Sequence, residues 1–274
     1  MKIYKNEDVP FVILPFENFN GREIENFNGH RALMEKFIIM KTTFRNSDFR
    51  NAILNSSNIE TTIFQNDNLV MSEFENSKIS DTKFINCDMS FSNFKNVNFR
   101  NVHFDNCNLR HIDFSSGILF DVSFEKNTDT ETIIVDDVYY NDKTILPEGF
   151  DLKNKKMNFV DNYIQERYIE LEKEFNIPND LFKKHPLREL DRMMEKYKTI
   201  LEENNIESLI YHLILCNLVL KYKVSFKSIV ENIENFISSK EVIMKENKHT
   251  KREVEEIKKL IVEYKRELGR SKLY

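Results

Sequence analysis

The groups that could hold a metal, move a proton or attack a carbon are the natural place to begin, and here they are scattered. Six histidines (His30, His103, His111, His185, His212, His249) form no His-x-x-His or His-Glu-x-x-His pair, the spacings that aim two imidazoles at one metal from one helix face. His212 sits in an apolar helical pattern and reads as a hydrogen-bonded core residue. Cys87, Cys107 and Cys216 are too few and too dispersed for a disulfide framework or a four-ligand zinc site. The five glycines (Gly21, Gly29, Gly117, Gly149, Gly269) are never clustered, so no loop can bring backbone amides close around a phosphate. Acidic residues are plentiful, but no pattern gathers them into a cleft. The expectation is a chain with no catalytic site, no cofactor and no bound metal.

The elements that carry these residues follow a period of five. Phe44, Phe49, Leu54, Ile59, Phe64, Leu69, Phe74, Ile79, Phe84, Met89, Phe94, Phe99, Phe104, Leu109, Phe114, Leu119 and Phe124 are 17 consecutive fifth residues, all apolar and ten of them Phe. Two residues before each centre the side chain is mostly small or β-branched, as in Thr42, Ser47, Ala52, Ser57, Thr62, Ser72, Ser77, Thr82, Cys87, Ser92, Val97 and Val102. Two residues after it Asn recurs, at 46, 51, 66, 76, 86, 96, 101 and 106. Neither a helix of period 3.6 nor a strand of period 2 accommodates such spacing. A short extended side followed by a bend does, because Asn tolerates left-handed geometry and bonds its own backbone. A five-residue side with its bend spans roughly 10 Å, so four sides close a square filled by one layer of inward side chains. Each coil then uses 20 residues, and residues 42–126 make about four coils. Cys87 and Cys107 fall in vertical register on adjacent coils, with Cα atoms about 5 Å apart. They read as two buried thiols.

The segments SDFRN (47–51), AILNS (52–56), CDMSF (87–91) and CNLRH (107–111) match the A(D/N)LXX pattern, and the chain resembles the pentapeptide-repeat family. That resemblance implies a right-handed quadrilateral β-helix with the central residue inward. Residues 138–152, VYYNDKTILPEGFDL, resemble the exit found after such helices. Upstream, Phe19, Ile24, Met34 and Ile39 keep the frame but Gly29 breaks it. An open coil end exposes strand edges and a layer of Phe, so residues 1–41 are expected to cap a rod spanning 42–152.

From 153 to 274 the spacing changes to three and four. Ile164, Tyr168, Leu171 and Phe175 form one stripe; Leu187, Leu190, Met194, Tyr197 and Leu201 another. Residues 206–221 are apolar on most sides, Phe226 to Ile237 continue the pattern, and Thr250 with Glu253 form a capping box for a last helix that stops at Gly269. The fold class expected is therefore a β-solenoid plus an all-α bundle of four or five helices. The longest apolar stretch, Leu209–Leu220, contains His212 and Asn217 and falls short of the roughly 20 residues that cross a bilayer. With a short N-terminal apolar stretch broken by Pro15, this predicts a soluble, cytoplasmic protein without a membrane partner.

The outward positions carry the candidate interaction surface. Met71 and Phe91 occupy the place usually held by Asn and stack one coil apart between Asn51 and His111. Val70 adjoins them, Ile63 and Ile85 lie on the neighbouring side, and Ile118 and Phe120 mark the last coil. Exposed apolar ridges invite contact, either from the rest of this chain or from a separate protein. The expected function is a non-catalytic interaction or scaffold protein, using a rigid rod and a helical docking domain. The resemblance implies an alternative, since the fluoroquinolone-resistance-type members resemble duplex DNA and protect DNA gyrase. That mechanism needs a uniformly acidic rod, whereas residues 40–127 hold 9 basic and 11 acidic side chains. A third reading, nucleic-acid binding by the helical half, rests on the net charge of +3 over residues 150–274, but Lys251, Arg252, Lys258 and Lys259 interleave with Glu253, Glu255 and Glu256 as on a solvated face. The oligomeric state is left open, a homodimer included.

Overall fold

The computed structural model describes residues 3–5, 19–150, 152, 155–160 and scattered positions between Glu166 and Arg266. It divides into two compact units, Met1–Asp161 and Asn162–Tyr274. The first is a β-solenoid of about seven turns rather than the four expected. In the second, described positions such as Glu166, Arg167, Met193, Tyr211 and Leu215 are helical. The expected bundle of four or five helices otherwise lies outside the described residues.

Each coil is a square because four ladders run along the rod, every one parallel and, until the last coil, in steps of 20. Strands Ile3–Lys5, Glu23–Glu25, Thr43–Arg45, Ile63–Gln65 and Lys83–Ile85 pair in sequence with one another and then with Asn98–Asp105 and Ile118–Glu125. A second face stacks Ile38–Met40, Asn58–Glu60 and Lys78–Ser80 onto the start of Asn98–Asp105. The remaining two faces are ladders of single bridges, Asn28 to Asp48 to Asn68 to Asp88 to Asn108, and Leu33 to Ile53 to Glu73 to Asn93 to Asp113. The square register read from the five-residue period is therefore the register of the backbone.

The bends follow from the residue two after each centre. Asn46, Asn51, Asn66, Asn76, Asn86, Asn96, Asn101 and Asn106 all lie in the left-handed region, at φ between 52° and 61°. Asn accepts this conformation at low cost. At one corner a four-residue turn closes behind it, with Ala52 N–H donating to the Phe49 carbonyl at 2.9 Å. Inside, the centres stack face to face. Phe44, Phe64, Phe84, Phe104 and Phe124 form one column with ring centroids 5.2, 5.0, 5.1 and 5.0 Å apart and planes within 14° of parallel. All are buried.

The small residues before each centre do more than leave room. The Ser57 hydroxyl accepts the N–H of Phe37 at 3.0 Å and donates to the Met34 carbonyl, so it bonds one coil to the next. Thr62, Ser77, Cys87 and Cys107 donate in the same way to the carbonyl 23 residues earlier. Buried hydroxyls thus find their partners in the backbone of the neighbouring coil.

Winding also reaches into the stretch expected to cap the rod. Ile24, Met34 and Ile39 are buried centres, and strand Glu23–Glu25 pairs with Thr43–Arg45. Gly29 breaks the sequence frame but not the coil. A Cβ at Gly29 would lie 2.5 Å from the ring of Phe27, which fills the inward space a centre would have taken. At the other end Asp136–Asn141 pairs with Lys156–Val160, so the sheet continues past residue 152, where the helical half was expected to start. Spacing loosens there: Ile134 lies over Asp113 and Ile145 over Ser123, 21 and 22 residues on.

Candidate interaction surface

Corner residues are the most exposed part of each coil, and most of them are tied together. The carboxamides of Asn46, Asn66, Asn86 and Asn106 form a ladder in which each Nδ2 donates to the Oδ1 one coil below, at 3.2, 3.1 and 2.8 Å. Asn96 bonds Asn76 at 2.7 Å and Asn101 bonds Asp81 at 2.7 Å. A left-handed Asn is thus stabilised twice, by its own backbone preference and by its neighbours.

The corner that carries Asn51 departs from this rule. Met71 and Phe91 hold φ values of 57° and 60°, a conformation that costs a residue with an ordinary Cβ roughly 1–2 kcal/mol. They have no carboxamide to offer the ladder. Met71 remains 52% exposed and Phe91 45%. His111, also left-handed, packs its ring against Phe91 at a tilt of 38° with centroids 5.0 Å apart, and the Arg110 guanidinium lies over the same ring at 5.8 Å. The sequence-predicted group of Met71, Phe91 and His111 is therefore one continuous exposed ridge, with Val70 half-buried beside it. Ile63 and Ile85, on the adjoining side, are half-buried and add little apolar area. Ile118 and Phe120 are fully buried, which takes them off the exposed surface, and Arg100 lies over the Phe120 ring at 5.3 Å.

Several charges on the rod are matched. Arg50 grips Asp48 with two nitrogens, Nη2 to Oδ2 at 2.6 Å and Nε to Oδ1 at 2.9 Å. Burial would raise the Asp48 carboxyl, but hydrogen bonds from the Arg50 side chain and backbone hold it below its usual value. Lys95 pairs with Asp113 and Arg100 with Asp121. No described face is uniformly acidic.

A group that sequence reasoning passed over lies inside the tube. Asp67 stands where its neighbours are Ser47, Cys87, Cys107 and Asn127, and it is 2% exposed. Burial pushes its carboxyl up to about 7, against the pull of N–H groups from Ser47 and Gln65 at 2.7 and 3.0 Å. Its position two before a centre was the available signal. The thiols of Cys87 and Cys107 are free and buried in the same column. Hydrogen bonding to Cys107, and then burial, holds Cys87 above the ordinary thiol range. His103 bonds the Ser123 hydroxyl at 2.7 Å, on another face from His111. Among the described residues no set of three His, Cys, Asp or Glu side chains could hold a metal, and no helix is long and apolar enough to cross a membrane.

Among curated proteins none matches this chain. Among solved structures, QnrB1, a plasmid-mediated fluoroquinolone resistance protein, is similar at 14% identity over 62% of this chain and 88% of its own, with a TM-score of 0.36. A pentapeptide repeat protein of the Arabidopsis thaliana thylakoid lumen is similar at 16% identity over 45% and 68%, with a TM-score of 0.24. HetL of Nostoc sp. strain PCC 7120, involved in heterocyst differentiation regulation, is similar at 11% identity over 47% and 82%, with a TM-score of 0.20. Residues 57–132 match the family model of the pentapeptide repeat region, and these residues lie inside the coil-forming stretch. Residues 57–132 are thus a pentapeptide repeat region, and the five-residue period, left-handed corners and four parallel ladders of a β-solenoid run through them.

Proposed function

We propose that the chain is a non-catalytic interaction protein, which presents the Met71–Phe91–His111 ridge on a rigid rod to a protein partner. One observation carries this reading. Two large apolar side chains hold left-handed corner positions where Asn would be less strained and would extend a hydrogen-bonded ladder, and both stay exposed. Local strain retained on a surface is a mark of function rather than of folding. A packed tube offers no cleft for substrate, which supports a role without catalysis.

The pairing of Arg50 with Asp48 and of Arg100 with Asp121 speaks for an ordinary protein-binding surface over a duplex mimic, which needs unbroken negative charge. The test is capture from cytoplasmic extract with the full chain and with its Met71→Asn/Phe91→Asn variant as baits. A partner held by the first and lost by the second is expected; identical captures would remove the ridge from the function. A gyrase supercoiling assay, with and without a quinolone, is expected to show no effect at micromolar protein, and protection would favour the mimic instead.

A further inference from the structure

Resting on that reading of the ridge, we propose that its occupant is an acidic segment of a partner protein, which seats an apolar side chain on Met71 and Phe91 and places a neighbouring carboxylate on Arg110. The rod contains its own control for this idea. Arg50 and Arg110 occupy the same column, three coils apart, and differ in the residue two before them. Arg50 has Asp48 two residues before it and is neutralised by a two-point grip. Arg110 has Asn108 at that place, whose Oδ1 is taken by the Arg110 backbone N–H at 3.1 Å. Among the described residues the Arg110 side chain has no ion pair; its guanidinium lies over the Phe91 ring, exposed.

A guanidinium laid on an aromatic face keeps its N–H edge available for a carboxylate, and the planar fork binds one in two-point fashion. His111 packs at a tilt against the same ring and adds a second donor within reach of the same ligand. The acidic groups that border the patch are Asp88, whose Oδ1 accepts the Ser90 N–H at 3.1 Å, and the exposed Asp129 and Glu131 one coil beyond Asn108 and His111. None pairs with Arg110. On the ridge itself the charge laid against the aromatic face is the Arg110 guanidinium, and the complement of that pair is an apolar side chain next to a carboxylate.

The probe is a displayed random peptide library selected on the full chain, with affinities then measured on wild type, Arg110→Gln and Phe91→Asn. Melting curves of the variants serve to show that the rod is intact. Enriched peptides are expected to carry Asp or Glu within a few residues of an aromatic or aliphatic anchor, and to bind at least tenfold more weakly to either variant. Peptides that lose affinity in Phe91→Asn but not in Arg110→Gln would overturn the acidic partner while leaving the docking surface in place. Peptides indifferent to both, or no binder at all, would overturn the docking surface itself. Retention of single-stranded DNA that depends on Arg110 would make the ligand a phosphate and also overturn the proposal.

Discussion

Asp67 accepts the backbone N–H of Ser47, one coil below it, at 2.7 Å, so a carboxyl group serves as a rung between coils inside the tube. Three coils on, Asn127 makes the equivalent rung to Cys107 at 2.8 Å and adds a second, its Nδ2 donating to the Phe104 carbonyl at 3.0 Å. The same column therefore shows what a neutral carboxamide does there.

Asp67 makes stability depend on pH. Below the unfolded value near 3.8 both states hold the proton. As pH rises toward 7 the unfolded chain loses it while the folded chain keeps it, so stability falls across that window and then levels. The loss is expected to be at most about 4 kcal/mol, at about 1.4 kcal/mol per pKa unit. Asp67→Asn should flatten this dependence and melt higher than wild type at pH 8, with the two nearly matched at pH 4. Denaturant melts at the two pH values test it, and an unchanged pH profile in the variant would refute it.

Returning the strained corner to Asn should stabilise the rod. Met71→Asn and Phe91→Asn each relieve left-handed strain and extend the ladder from Asn51, with about 0.5–1 kcal/mol expected per site. Differential scanning calorimetry measures it. A lower Tm in both variants would mean that the ridge helps to hold the fold.

Phe64 lies between Phe44 and Phe84 with no other residue in its column to replace it. Phe64→Ala opens a void in a solid stack and should cost about 3–5 kcal/mol, while Phe64→Leu, which suits the same position elsewhere in the rod, should cost clearly less. Urea midpoints distinguish the two; equal midpoints would place Phe64 outside a tight core.

The free thiols report on the tube directly. In a Cys216→Ser background, Cys87 and Cys107 should resist an aromatic disulfide reagent in the native protein, and both should react once denaturant opens the coils. Fast reaction of either under native conditions would contradict their burial.

Most of the rod was legible because one rule repeats: each inward position needs a Phe, Leu, Ile or Met, and each bend needs a residue that tolerates φ near 55°. The same rule undercounted the coils. At Gly29 the inward volume comes from Phe27, two residues earlier, and a pattern search sees only the missing side chain. The ridge was visible as two Asn positions given to Met71 and Phe91. Ile118 and Phe120 look the same in sequence yet are buried, because exposure depends on what folds against a face and not on the repeat alone. Asp67 was missed since a carboxyl is the one group the small-residue column does not predict, and only the Ser47 and Gln65 N–H groups explain how it is kept.

A tube that closes every 20 residues also restricts how its gene can change. Loss of one codon between 60 and 110 would turn every later Phe of that stretch outward, whereas excision of 20 codons removes one floor and leaves each column continuous. Near the exit, where the steps are already 21 and 22, the arithmetic relaxes. Related rods should therefore differ in height by whole floors, with single-residue insertions gathered at the end where the tube gives way to Asp136–Asn141 and Lys156–Val160.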